Sequence, residues 1–132
     1  MKKTSVSFFF VLLCVVCFGQ TNQTSCGDFK SGRFAYRDST NGIIEVIRKG
    51  NRQQEYDPRR KTITKFKISW VSDCEYHLTQ VWSNSKEKRK QNRSVTTVLI
   101  THTNGSSSYE YDCGCKDRKV AGRIGLMVRM DE

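Results

Sequence analysis

Apolar and polar residues alternate along the chain with a period of two, in short runs divided by turn residues roughly every 8–12 positions. No stretch carries a 3.6-residue apolar stripe long enough for a helix. The alternation predicts strands near 32–38, 43–49, 53–57, 63–71, 74–83, 94–103, 106–114 and 123–130. Pro58 falls between two of them, where its missing N–H costs no ladder bond.

Turn chemistry sets expected registers. Asn41-Gly42 and Asn104-Gly105 suit two-residue turns with positive φ at both centres. The second would place Ile100 opposite Tyr109 and Val98 opposite Tyr111, with apolar pairs on one face. The first would set Tyr36 against Ile47 but Phe34 against Lys49, a poorer match. In "KISWVSDCEYHLTQVW", residues 67–82, Phe66, Ile68 and Trp70 share one parity with Cys74, Tyr76, Leu78 and Trp82. A hairpin with the odd loop Val71-Ser72-Asp73 pairs Trp70 with Cys74, Ile68 with Tyr76 and Phe66 with Leu78, all facing the core. The expected fold is therefore all-β, a single antiparallel up-and-down barrel or half-barrel of about eight strands, lipocalin-like.

The N-terminus changes the picture of compartment. Lys2 and Lys3 precede the apolar run "FFFVLLCVVCF", 8–18, after which the chain turns polar. That is the pattern of a secretory signal peptide, and the run is too short for a bilayer-spanning helix. The expected organisation is a signal peptide over 1–19 and a single β domain over 20–132, periplasmic or secreted, monomeric, with no transmembrane segment once the signal is removed. Four cysteines remain: Cys26, Cys74, Cys113 and Cys115. In an exported chain an even count reads as two disulfides, with three pairings open. The formal net charge of +10 stays strongly positive without the two signal lysines and favours anionic partners without selecting one.

The segments "CGDFKSGRFAY", "IIEVIRKGNRQQEY", "ISWVSDCEYHLT" and "GLMVRM" resemble a family of small exported proteins of flavobacteria and other Bacteroidetes, whose most specific block is the cysteine-flanked W-x-S-D-C-x-Y-x-L. The family implies no established activity. Some of its members go under the name DNA topoisomerase IV, which these residues contradict: a small exported β domain has no room for a cleavage domain with its nucleophilic tyrosine or for an ATP-binding domain. The "CGC" at 113–115 departs from the single cysteine of the family pattern.

Candidate chemistry is sparse. His77 and His102 have no nucleophile or acid partner nearby in sequence, and no catalytic, metal-ligand or nucleotide-binding motif occurs, so no catalytic residue, metal or cofactor is expected. "CGC" admits a minor thiol–disulfide exchange reading, with Lys116 and Arg118 lowering a thiol pKa. The basic loops say more. In an up-and-down meander the turns near 40, 60, 88 and 118 emerge at one end. That gathers Arg59, Arg60, Lys61, Lys86, Lys88, Arg89, Lys90, Arg93, Lys116, Arg118 and Lys119 into a candidate anion-binding rim. Phe34, Tyr36, Phe66, Trp70, Tyr76, Tyr109 and Tyr111 are candidates to line a cavity beneath it. The expected function is an exported, non-catalytic binding module taking a small amphipathic or anionic ligand at a basic barrel mouth. The alternative is docking on anionic polymers or surfaces such as lipopolysaccharide, acidic polysaccharide or extracellular DNA, with no specific nucleic-acid recognition.

Overall fold

A computed structural model of the chain describes residues 25–115 and 123–130, the side chains of Cys115 and Arg123 excepted. The segment expected to be a signal peptide and Lys116, Arg118 and Lys119 of the predicted rim lie outside the described residues. Eight strands follow in order: β1 (Gly32–Arg37), β2 (Ile43–Lys49), β3 (Arg52–Asp57), β4 (Thr62–Ser72), β5 (Glu75–Ser83), β6 (Val95–Asn104), β7 (Ser108–Cys115) and β8 (Arg123–Arg129). Each pairs antiparallel with its neighbour in sequence, and β8 pairs back with β1 through Phe34–Arg129, Ala35–Val128 and Tyr36–Met127. The barrel is closed, so no strand edge is left to pair with another chain. This is the all-β, lipocalin-like architecture that the alternation predicted.

The predicted registers need three corrections. Asn41-Gly42 is not a two-residue turn: the connection runs over residues 38–42, pairing Arg37 with Ile43, Tyr36 with Ile44 and Phe34 with Val46. Asp38 is the cause. Its carboxylate accepts from the backbone N–H groups of Thr40 and Gly42, each at 2.9 Å, while Asn41 takes φ 61°. Phe34 thereby faces Val46 instead of Lys49. The β6–β7 loop is Gly105-Ser106-Ser107, with Asn104 opposite Ser108. An odd loop alone would turn the apolar rows to opposite faces. A bulge between Ile100 and His102 reverses that, and Ile100 meets Tyr111 while Val98 meets Cys113, two residues beyond the expected register.

The opening of β5 repeats the device. The hairpin forms, but its turn is Asp73-Cys74, with Ser72 opposite Glu75. A bulge then pairs Trp70 with Tyr76, Ile68 with Leu78 and Phe66 with Gln80. Core parity survives. A second irregularity inserts Val81, so that Lys65 faces Trp82 and Thr64 faces Ser83. Trp82 consequently points outward, 42% exposed beneath the Lys65 ammonium, and fully buried Ser83 takes the inward place expected for it.

The core fills one end. A 3₁₀ turn, Gly27–Phe29, carries Phe29 under the barrel, and the Cys26–Cys74 disulfide ties that turn to the β4–β5 hairpin. Phe29, Phe34 and Tyr109 are buried together, with Phe29 and Tyr109 in edge contact at 4.8 Å between ring centroids. Fully burying such rings is worth about 2–3 kcal/mol each. Arg129 closes the seam, lying over Phe34 and Phe29 and donating to the backbone carbonyls of Ser106 and Asp28.

Candidate functional site

Above Phe29 the barrel interior turns polar at Arg48, which β2 carries inward in line with Ile44 and Val46. Only 2% exposed, its guanidinium donates to Gln53 Oε1 (2.7 Å), the Phe29 carbonyl (2.9 Å), Tyr76 Oη (2.7 Å) and Tyr109 Oη (2.7 Å). It also lies 4.7 Å from the Tyr76 ring centroid. A buried cation persists only when its donors are met, and here four oxygens meet them. This layer forms the floor of a cavity.

The cavity has a volume of about 700 Å³ and rises from Gln53 and Tyr76 to Asp38, Ser39, Lys88, Gln91 and Ser94 at the loop end. Phe66, Leu78, Val98 and Met127 give it apolar wall; Glu55, Thr64, Gln80 and Thr96 give it polar wall. Of the seven aromatic residues proposed as lining, Tyr36, Phe66, Tyr76 and Tyr111 border it. Phe34 and Tyr109 lie below, within the closed end. Trp70 packs tilted against Tyr76 at 4.7 Å between ring centroids, Lys30 lies over its ring, and its indole N–H has no partner among the described residues. Gly125 has a spatial role here, because a Cβ on it would come within 2.4 Å of the Tyr111 ring and hydroxyl.

Among the described residues, Glu55 places a half-buried carboxylate on the cavity wall, whereas Asp57, at 3% exposed, is already paired with Arg59. β3 reads Gln53, Glu55 and Asp57 at its inward positions. Gln53 Nε2 donates to Glu55 Oε1 and Tyr36 Oη donates to Glu55 Oε2, both at 2.9 Å. Burial pushes the Glu55 carboxyl up from the ordinary carboxylate range, against the hydrogen bonds from Tyr36 and Gln53 and the charges of Lys88 and Arg48. Burial, with Glu55 beside it, also drives the Tyr36 hydroxyl far above its ordinary value, so it stays a proton donor at neutral pH. Sequence reasoning missed Arg48, Gln53, Glu55 and Gln80. A signal existed in β3, where every inward position is polar, but it is legible only once the register is fixed.

The up-and-down order places the loops at 38–42, 58–61 and 84–94 at the cavity mouth. Arg59 is occupied there: it bridges Asp38 at 2.9 Å and Asp57 at 3.4 Å, with Arg60 3.9 Å from Asp57. The Arg59 guanidinium lies so close over Gly42 that a Cβ there would meet it at 1.8 Å. Burial would raise the Asp38 carboxyl, but hydrogen bonds from Gly42 and Thr40 and the charge of Arg59 hold it at about 2. Lys86, Arg89, Lys90 and Arg93 are exposed, as is Lys61, and Lys88 borders the cavity from a short 3₁₀ helix, Lys88–Gln91. Gln80 anchors this loop, donating from Nε2 to the Lys88 carbonyl (2.6 Å) and Asn92 Oδ1 (3.0 Å).

A second basic feature, outside the predicted rim, lies on the outer wall. Lys49 pairs with Arg52 and Arg52 with Lys67 across β2, β3 and β4, with Lys65 opposite Gln54. Like charges directly opposite destabilise a sheet, and no salt bridge among the described residues relieves this row. The groove beside it, about 630 Å³, also contains Ile47 and Val81 and no carboxylate.

Cys26 and Cys74 are joined. Cys113 borders the cavity, and the rest of the "CGC" chemistry falls on side chains outside the described residues. His77 is half-buried and His102 exposed, on different strands. No helix of the described residues is long and apolar enough to cross a membrane. No family model, no curated protein and no solved structure matches this chain.

Proposed function

We propose that the protein is an exported, non-catalytic binding module that takes one small amphipathic ligand into its barrel through the loop-ringed mouth. The observation that carries this reading is the cavity of about 700 Å³, in which β4, β5 and β6 each present a polar and an apolar side chain: Thr64 and Phe66, Gln80 and Leu78, Thr96 and Val98. Its size lies within the few-hundred to 1,000 Å³ typical of ligand sites, and eight-stranded barrels either fill with side chains or hold one small molecule. The Cys26–Cys74 disulfide fits an oxidising compartment outside the cytoplasm. The test is native mass spectrometry of protein purified from its own organism, compared with the denatured spectrum. Extra mass lost on denaturation is the expected result. A bare protein that also takes up no apolar probe would overturn the reading.

The like-charge row on β2–β4 supports a second reading, docking on an anionic polymer. Such a surface depends on counterion release, so binding to heparin or DNA should weaken steeply with salt and lose slope in a Lys65→Glu/Lys67→Glu variant. Ligand uptake by the cavity should change little over the same salt range.

A further inference from the structure

Resting on the reading of the lumen as a ligand site, we propose that the molecule it takes presents a protonated amine to Glu55, with an apolar body against Phe66, Leu78, Val98 and Met127. Glu55 accepts one hydrogen bond on each oxygen, from Tyr36 and Gln53. A carboxylate has about four acceptor positions, so half its capacity remains for a ligand. No ion pair to Glu55 exists among the described residues. Arg48, the cation nearest in the relay, reaches it only through the Gln53 amide and is itself engaged by four oxygens.

An anionic head group finds no comparable place inside. Arg48 is sealed below the floor, and the remaining inward polar groups, Gln53, Thr64, Gln80 and Thr96, are neutral. The cations that border the cavity, Arg37 at the end of β1 and Lys88 in the 84–94 loop, both belong to its loop end. An anion would therefore stay at the loops, whereas an amine would travel inward to the acidic wall. The rings of Tyr36, Phe66 and Tyr111 bordering the cavity add faces that attract a cation.

The test is calorimetric titration of the full mature protein at pH 7.5 with three chain-matched probes below their aggregation concentrations: decylamine, decanol and decanoate. Decylamine should bind about tenfold or more tighter than decanol, the worth of a charge-assisted hydrogen bond over a neutral one. Decanoate should be weakest. In Glu55→Gln, checked for fold by circular dichroism, the decylamine advantage should shrink to within about threefold while decanol binding is retained. Decanoate equal to or tighter than decylamine would overturn the proposal, as would an unchanged amine preference in the variant. Decanol binding without any amine preference would sink the amine inference and leave the lumen reading standing. Silence from all three probes would remove both. The wild-type ranking decides the matter even if the variant does not fold.

Discussion

The two ends of this barrel are built on opposite terms. At the closed end a charge is buried and spent: Arg48 donates to four protein oxygens among the rings of Phe34, Tyr76 and Tyr109. At the open end polar groups border a cavity with capacity left over, and the strongest ion pairs sit on the loops around it. The contrast separates polarity consumed within the fold from polarity left facing the cavity. Both Arg48 and Glu55 are ionisable side chains carried inward, but only Glu55 faces space a ligand can enter.

Predictions that break or sharpen this contrast run from the closed end outward. Replacing Cys26 and Cys74 together by serine should cost about 4 kcal/mol, from the entropy of a loop 48 residues apart in sequence. Urea unfolding measures it, and a loss under about 1 kcal/mol would mean that Phe29 stays seated without the tether. Arg48→Met should cost about 3 kcal/mol, because it strands the Phe29 carbonyl and the Gln53 amide oxygen and leaves the Tyr76 and Tyr109 hydroxyls only each other, at 3.0 Å. A neutral result would show that the closed end is held by apolar packing alone.

Effects at the mouth should be smaller. Arg59→Ala should lower the urea midpoint far less than Arg48→Met does, since its guanidinium is substantially exposed and its pairs are screened by solvent. Because the folded Asp38 value is held at about 2, below its unfolded value, its contribution is present above about pH 4 and fades as pH falls toward 2. A carboxyl titration followed by NMR would locate Asp38, and a midpoint near 4 would remove the loop-locking role. Glu55 carries the opposite sign. Its folded value is raised, so its contribution is greatest below the unfolded value and lost as pH rises through the folded one. Glu55→Gln should therefore gain melting temperature relative to wild type between pH 4 and pH 8. A constant difference across that range would show that Glu55 is not desolvated.

Much of the architecture was legible in the residues. Period-two alternation gave eight strands, and the parity of Phe66, Ile68 and Trp70 with Tyr76 and Leu78 gave the central hairpin its correct inward face. The turns were legible only in part. Asn-Gly is a strong local signal, but at residues 38–42 the Asp38 carboxylate offered the backbone better hydrogen bonds, and at 105–107 a longer loop became tolerable because a bulge restored the face. Trp82 could not be placed from parity, since a single inserted residue at Val81 reverses it. The site suffered more than the fold. Aromatic residues announced an interior, and four of the seven do border the cavity, whereas Arg48, Gln53 and Glu55 looked like ordinary surface residues until cross-strand pairing set them inside.

The sequence by itself determined which residues alternate, that turns separate them, and which connections are rich in lysine and arginine. The first two are local properties, set by the pleat of a strand and the chemistry of short loops. Only the tertiary structure decided that the barrel closes, that Cys26 meets Cys74, that one end is plugged by Phe29 while the other stays hollow, and that Glu55 faces the hollow. Each of these depends on residues distant in sequence approaching within a few ångströms, and a bulge of one residue is enough to exchange inside for outside.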